Sequence, residues 1–283
     1  MRPAAFRYAA PRSTQEVLDL LAQYGEDARL LAGGQSLVPL MNLRMARPGV
    51  LIDLGACEEL SYIEDRGDHL AYGPMTRQMD AQKSLLTAAH CRLVAQALEL
   101  AGPVAIRNRA TVGGTLAHAD RTAELPAVAA ALDATLVIER QGGRREVPAA
   151  KFFVADLTTD VKPGEILREV RMPKLPREAS TTFVEAGLRA RDMALAGVAA
   201  CFTFQPDGAC IAARLAVIGV EPTPRRLYEV EAMLASRRFN SDLAREAGAK
   251  AASLVEPLTD VHATESYRRH LVGALVERAL GQK

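Results

Sequence analysis

The sequence predicts an α+β protein built from two domains, and three observations support this. The chain has 283 residues, which is more than a single hydrophobic core usually organises. Its first part mixes helices with short strands and Gly-rich segments, whereas its last part reads as three alternating strands followed by helices. A short Pro-rich linker at residues 173–176, with Lys and Arg around it, separates these two parts. We therefore expect domains over residues 1–175 and 176–283, the first divided into subdomains of about 1–56 and 57–175.

The first domain begins with a clear helix signal at residues 13–24. Ser13 is a candidate N-cap and Glu16 stands three residues later, the spacing of a capping box. Gly25 can end the helix in the left-handed conformation. Short apolar strands are expected at residues 29–32, 50–54 and 70–72.

The middle of the chain predicts one long helix and one long loop. Residues 80–101 carry apolar helical faces, and Gly102-Pro103 ends that pattern. Residues 104–120 are rich in Gly, Thr, Asn and Ala, so we expect a loop packed closely against another part of the molecule. Further strands are expected at residues 135–139, 146–147 and 165–172.

The second domain is predicted to hold one antiparallel sheet with helices after it. Strands at 181–188, 196–205 and 211–220 form the sheet, and Asp207-Gly208 makes the hairpin turn between the last two. Helices are expected at 226–236, 241–254 and 263–280, with Ser241 and Thr264 as caps of the second and third.

Composition excludes several classes of protein. Lys and Arg total 35 against 34 Asp and Glu, and this balance provides no field for nucleic acid or an anionic membrane. We find no signal peptide and no apolar run long enough to span a bilayer. The cysteines are scattered and form no CxxC pair, so we expect reduced thiols in a cytoplasmic protein and no metal site; they are Cys57, Cys91, Cys201 and Cys210.

Two Gly-rich segments carry the chemistry, at residues 31–39 and 111–120. Each places paired glycines after an apolar stretch with hydroxyl residues beside them, so consecutive backbone N–H groups can converge on an anion. Two such loops suit a diphosphate, although either pair alone indicates only a tight turn. Neither segment matches the Rossmann GxGxxG or the P-loop pattern.

These segments resemble a known family. LAGGQSLVPLMNLRMARPGVLIDL (31–54) and IRNRATVGGTLAHADRTAELPAV (106–128) resemble the FAD-binding segments of the medium flavoprotein subunit of the xanthine dehydrogenase and carbon monoxide dehydrogenase group. The resemblance extends along the chain through PGEILREVRMP (163–173) and RARDMALAGVAACF (189–202). It implies a two-subdomain FAD-binding domain, of the PCMH or vanillyl-alcohol-oxidase type, followed by a C-terminal domain with a three-stranded antiparallel sheet.

The resemblance also implies cofactor-binding residues. A first loop centred on the paired glycines would wrap the FAD diphosphate, a second would complete it, acidic residues would lie near the ribityl and adenosine hydroxyls, and an apolar side chain would pack near the isoalloxazine. The first loop consists of Leu30, Leu31, Ala32, Gly33, Gly34, Gln35, Ser36 and Leu37, and the second of Thr111, Val112, Gly113, Gly114 and Thr115. The acidic residues are Asp120 and Glu124, and the apolar residue is Leu167. From the residues alone, Asp120 and Glu124 could instead cap a helix, and Leu167 could be core.

One residue departs from the family pattern. Arg121 stands where the family usually has proline after the Asp of AHAD, and we expect it to make that turn more flexible and to add a charge near the cofactor mouth. Substitution of Gly33 or Gly114 by a bulky residue is expected to abolish FAD retention while sparing the fold.

The resemblance implies an electron relay with no catalytic residues of its own. A large subunit would hold molybdenum cofactor, a small one would hold two [2Fe–2S] clusters, and this chain's FAD would pass electrons to an external acceptor, in a heterotrimer that can dimerise. Two alternatives stay open: a stand-alone FAD-dependent reductase or oxidase on the same fold, and a non-enzymatic interaction protein that has lost the cofactor.

Overall fold

The structure is a computed structural model and describes residues 2–281. The first domain contains ten strands and nine α-helices within these residues. Its strands are β1 (Arg7–Ala9), β2 (Ala28–Leu31), β3 (Val50–Asp53), β4 (Ile63–Asp65), β5 (His69–Tyr72), β6 (Thr135–Arg140), β7 (Gly143–Pro148), β8 (Phe153–Ala155), β9 (Thr158–Thr159) and β10 (Glu165–Pro173). Its helices are α1 (Thr14–Tyr24), α2 (Leu37–Asn42), α3 (Gln78–Lys83), α4 (Leu85–His90), α5 (Arg92–Leu100), α6 (Val104–Arg107), α7 (Val112–His118), α8 (Glu124–Ala131) and α9 (Ala149–Phe152).

Two main sheets organise the first domain. A parallel sheet has the order β1-β3-β2 and packs with α1 around its own small core. An antiparallel sheet has the order β4-β5-β10-β6-β7, and β8 and β9 form a separate short hairpin. Ile166 of β10 and Met75 pack into the core of the parallel sheet, so the two sheets share a contact.

The second domain is a sheet covered by helices. Its strands are β11 (Ser180–Gly187), β12 (Ala194–Phe204), β13 (Cys210–Ile218) and β14 (Arg225–Arg226), and its helices are α10 (Tyr228–Leu234), α11 (Ser241–Leu254) and α12 (Glu265–Gly281). All neighbouring strands are antiparallel in the order β11-β12-β13-β14. The three predicted strands are confirmed, and the two-residue β14 joins their edge.

Helix α8 joins the two domains. All eight of its residues are buried, and it packs against α5 of the first domain and against β12 and β13 of the second. The largest core continues across this contact, because Ala199 and Ile218 of the second sheet belong to the same cluster as Leu125 of α8. Helix α8 is therefore packed against both domains. Within residues 2–281 no helix combines the length and apolarity needed to cross a membrane.

The predicted helix at residues 13–24 is confirmed as α1. Ser13 is its N-cap, with the side chain accepting a hydrogen bond from the N–H of Glu16 at 3.2 Å. In the second domain, the predicted helix at 241–254 is confirmed, but its N-cap is Asn240 and not Ser241, since Asn240 Oδ1 accepts from the N–H of Leu243 at 2.8 Å.

Two predictions for the middle of the chain are wrong. Instead of the single helix over 80–101, the structure has α3, α4 and α5. Ser84 adopts an extended conformation and caps the start of α4, and the non-helical Cys91 separates α4 from α5. The predicted loop over 104–120 contains α6 and α7, because Thr111 caps a helix whose glycines pack closely enough to compensate for their low helix propensity.

Candidate functional site

A cleft lies between the parallel sheet and the antiparallel sheet of the first domain. It encloses a cavity of about 380 Å³ that both Gly-rich segments line. A second cavity of about 520 Å³ adjoins it, since both are lined by Ala32, Gly33, Gly34 and Gln35. The structure thus brings together the two segments that the sequence singled out, although about seventy residues separate them.

Most of the expected cofactor-binding residues line this cleft. The first cavity is lined by Leu30, Ala32, Gly33, Gly34, Gln35, Ser36, Leu37, Thr111, Gly113, Gly114, Thr115 and Leu167, and the second adds Leu31. Val112, Asp120 and Glu124 line neither cavity. Their roles toward a cofactor stay predictions.

The first Gly-rich loop presents unused hydrogen-bond donors. The backbone leaves β2 at Leu31 and turns through Gly34, whose φ of 73° is readily adopted only by glycine, before α2 begins. Within residues 2–281, the N–H groups of residues 33–36 donate to no other protein atom. Gly33 is buried and residues 34–36 are half-buried beside the cavity, so these four adjacent donors are available to bind an acceptor such as a diphosphate.

The second Gly-rich loop does not present free backbone N–H groups, contrary to the expectation from the sequence. Here the N–H groups are already used: Val112 donates to Thr76 O and Gly113 to Pro74 O, each at 2.9 Å, and Gly114 donates to Thr111 Oγ1 at 3.0 Å. The expectation that backbone donors of both loops converge on an anion is therefore wrong for this loop. Thr115 remains a side-chain donor, because its Oγ1 accepts from Gln78 Nε2 at 2.8 Å and its hydroxyl hydrogen stays available.

The glycines of the two loops allow them to approach each other. A Cβ at Gly33 would lie 2.2 Å from the carbonyl oxygen of Arg109, a backbone atom that can shift only at a cost in stability. A larger residue at Gly33 therefore forces the backbone to shift, and we expect it to lower the stability of the fold as well as FAD retention. A Cβ at Gly114 would lie 3.2 Å from the Cβ of Ala32, within the narrow space between the loops.

The cleft has apolar walls and a basic rim that sequence reasoning missed. Leu54, Met75 and Ile166 line the first cavity, and the guanidinium-bearing Arg77 and Arg109 line the second. Leu167, the neighbour of Ile166 in β10, lines the same cavity, and a β-bulge follows it between Leu167 and Glu169. The bulge leaves no recognisable signal in the sequence.

Asp120 and Glu124 lie at the exit of the second loop. Asp120 Oδ1 accepts from both the N–H and the Oγ1 of Thr122 at 2.8 Å, which closes a turn before α8. Glu124 is only 8% exposed, and burial raises the pKa of its carboxyl to about 8, with a further rise from the charge of Glu185. At neutral pH Glu124 is then largely protonated, so it offers a hydrogen-bond donor as well as an acceptor.

Arg121 does not behave as expected. Its side chain is 17% exposed and donates to Asp260 of the second domain at 2.7 Å, and its N–H donates to Asp156 at 3.2 Å. The expected increase in flexibility at this turn is wrong, because hydrogen bonds hold Arg121 on both sides.

The geometry of the cleft defines a class of protein. Two adjoining cavities with free backbone N–H donors at a glycine turn, apolar walls and two lining arginines suit a dinucleotide such as FAD. Among residues 2–281 no three His, Cys, Asp or Glu side chains are grouped to hold a metal ion. The fold and the site are those of a cofactor-binding flavoprotein.

Comparison with known proteins specifies the family. Residues 4–175 match the FAD binding domain in molybdopterin dehydrogenase, and residues 181–282 match the CO dehydrogenase flavoprotein C-terminal domain. The 6-hydroxypseudooxynicotine dehydrogenase complex subunit alpha of Paenarthrobacter nicotinovorans is 36% identical over 100% of this chain and 95% of its own length. The carbon monoxide dehydrogenase medium chain of Hydrogenophaga pseudoflava is 34% identical over 99% and 97%.

Solved structures agree. A chain of carbon monoxide dehydrogenase from Hydrogenophaga pseudoflava superposes with a TM-score of 0.95 at 35% identity, covering 99% of this chain and 98% of that one. A chain of quinoline 2-oxidoreductase from Pseudomonas putida 86 also gives 0.95, at 34% identity over 100% and 98%. The chain belongs to the FAD-binding medium subunits of the molybdenum hydroxylase family, and it is an oxidoreductase subunit whose cofactor is FAD.

Proposed function

We propose that this chain is the electron-relay subunit of a heterotrimeric molybdenum hydroxylase. In this role it receives electrons from [2Fe–2S] clusters of a small partner, while a large partner carries the molybdenum cofactor and the substrate. Bound FAD supplies the redox chemistry, exchanging electrons with the clusters and with an external acceptor. The proposal is supported above all by similarity along the whole chain to medium subunits of such enzymes.

Each part of the cleft has a proposed task. The free N–H groups of residues 33–36 bind the diphosphate, and Ser36, Thr111 and Thr115 add hydroxyl donors. Leu167 packs against an aromatic ring of the cofactor. Asp120 and Glu124 lie near its hydroxyl groups. We assign no proton transfer or bond-making step to the protein, so it has no catalytic residues in the strict sense.

The domain limits, the heterotrimer and the cytoplasmic location also stay predictions. We propose domains over residues 1–175 and 176–283, with subdomains of about 1–56 and 57–175. The chain would assemble with the large and small subunits, with further dimerisation of the heterotrimer open.

Stopped-flow mixing of the FAD-loaded chain with the reduced [2Fe–2S] partner tests the relay. We expect the flavin absorbance to bleach while the cluster absorbance recovers, and a later addition of acceptor to restore the flavin. A chain prepared without FAD, mixed in the same way, is the control and should leave the cluster reduced. Clusters that stay reduced in the presence of the FAD-loaded chain would disprove the relay.

A further inference from the structure

Arg121 connects the cofactor-binding domain to the C-terminal domain. It follows Asp120 on the segment between α7 and α8. Its Nη2 donates to Asp260 Oδ2 at 2.7 Å, and its carbonyl oxygen accepts from the N–H of Gly219 at 2.8 Å. Within its own domain, its N–H donates to Asp156 Oδ1 at 3.2 Å, and its Nε lies 3.8 Å from Asp156 Oδ2. Both its backbone and its side chain are therefore held from two sides.

The partner carboxylate in the C-terminal domain is itself rigidly held. Asp260 Oδ2 also accepts from Arg268 Nη2 at 2.7 Å, and Asp260 Oδ1 accepts from the N–H groups of His262 and Ala263 at 2.9 and 3.0 Å. Arg268 is 2% exposed, and its Nη1 donates to the carbonyl oxygens of Leu195 and Gly219 at 2.6 Å. Arg121 thus contacts a fixed point of the second domain.

The segment that Arg121 holds forms one wall of the FAD cleft. Ala117, His118 and Leu157 line the first cavity, and the N–H of Leu157 donates to the carbonyl oxygen of Ala119 at 3.0 Å. Leu157 directly follows Asp156, the first-domain partner of Arg121. A shift of Arg121 therefore moves both segments that build this wall, residues 117–119 and Leu157.

We propose that Arg121 is a positioning residue that fastens this wall of the cleft to the C-terminal domain, so that FAD retention depends on the contact between the domains. The proposal rests on the proposed FAD site. A proline at this position would stiffen the turn locally but carries neither the N–H nor the charge that makes these contacts. In this chain the turn is held by long-range contacts.

Arg121→Met tests the proposal, because it keeps an unbranched apolar stem and removes the charge. The matched control is Arg214→Met, since Arg214 Nη1 also pairs across the domains, with Asp133 Oδ2 at 3.0 Å, but lines neither cavity of the cleft. For each purified variant we would measure the FAD dissociation constant, the visible circular dichroism of bound FAD, and thermal unfolding without FAD.

We expect Arg121→Met to weaken FAD binding about tenfold, as is typical for coupling between sites, and to change the dichroism of the bound flavin. Arg121→Lys, which keeps one charge near Asp260, should recover part of the affinity, and Arg214→Met should bind FAD as the wild type does. If Arg121→Met does not fold, Asp156→Ala removes the first-domain hydrogen bond and charge alone and should weaken FAD binding in the same direction.

Wild-type FAD affinity and dichroism in Arg121→Met would overturn the role of Arg121 but leave the proposed function standing. A loss of FAD affinity no larger than that of Arg214→Met would have the same consequence. If Arg121→Met does not fold, wild-type FAD affinity in Asp156→Ala overturns the role of Arg121 instead. A wild-type chain that binds no FAD overturns the proposed function as well.

Discussion

Gly114→Ala should weaken FAD binding while leaving the fold intact. The added Cβ would lie 2.7 Å from Thr111 Oγ1 and 3.2 Å from the Cβ of Ala32, closer than ordinary van der Waals contact. The two loops must then separate by a few tenths of an ångström. Loss of one hydrogen bond to a charged phosphate costs about 1.5–3 kcal/mol, which corresponds to a roughly 10- to 150-fold larger dissociation constant for FAD.

The fold should tolerate this change. Disturbing the Thr111 cap costs about 1 kcal/mol, and replacing glycine by alanine inside α7 returns about the same amount. Titration with FAD, followed by flavin fluorescence, and thermal unfolding of the apo protein would measure the two effects separately.

Two glycines serve as comparisons for Gly114→Ala. Gly143→Ala is the matched control, because a Cβ there meets nothing within 4 Å, and it should change neither quantity. Gly33→Ala should lower both, because its Cβ collides with the backbone at Arg109. Wild-type FAD affinity in Gly114→Ala would refute the reasoning about the space between the loops.

Three further predictions concern buried side chains. Burial raises the pKa of Glu124 from 4.5 to about 8. Between these pH values the unfolded chain releases a proton that the folded chain keeps. The free energy of unfolding therefore falls as pH rises, by at most about 1.4 kcal/mol per pH unit. Urea unfolding of the apo protein between about pH 5 and pH 8 should show this slope, and Glu124→Gln should reduce it. Arg145→Met should destabilise the protein by about 2 kcal/mol at pH 7, because it leaves the buried Glu165 carboxylate without the guanidinium that lies 2.6 Å away. The difference in stability between variant and wild type should shrink in acid as Glu165 is protonated, and equal stability at pH 7 would contradict this prediction. Leu167→Ala should cost about 2–4 kcal/mol of stability in denaturant unfolding and also weaken FAD binding, since Leu167 is 5% exposed and lines the cleft; a stability loss with unchanged FAD affinity would leave it a core residue only.

The sequence predicted the elements whose local signals are strong. Ser13 and Glu16 mark the start of α1, and the alternation and the Asp207-Gly208 turn mark the hairpin of β12 and β13. It failed where tertiary packing overrides local preference. The paired glycines of helix α7 predict a loop, yet the Thr111 cap and the close contact of Gly113 with Pro74 stabilise the helix.

The candidate site was predictable in its loops but not in its walls. Paired glycines identify both loops, because few other residues allow backbones to approach so closely. Leu54, Met75 and Ile166 reach the cleft from separate elements, and no spacing in the sequence relates them. The contact of Arg121 with Asp260 joins residues 139 positions apart and depends on how the domains pack.

The most direct test of the central claim is to identify the cofactor of the purified chain. An absorption spectrum would be recorded, followed by acid release of the cofactor and its identification by chromatography, with a parallel sample incubated with excess FAD and then desalted. Our account predicts a flavin spectrum and released FAD, at the latest after incubation. A protein that remains colourless after incubation with excess FAD would contradict it.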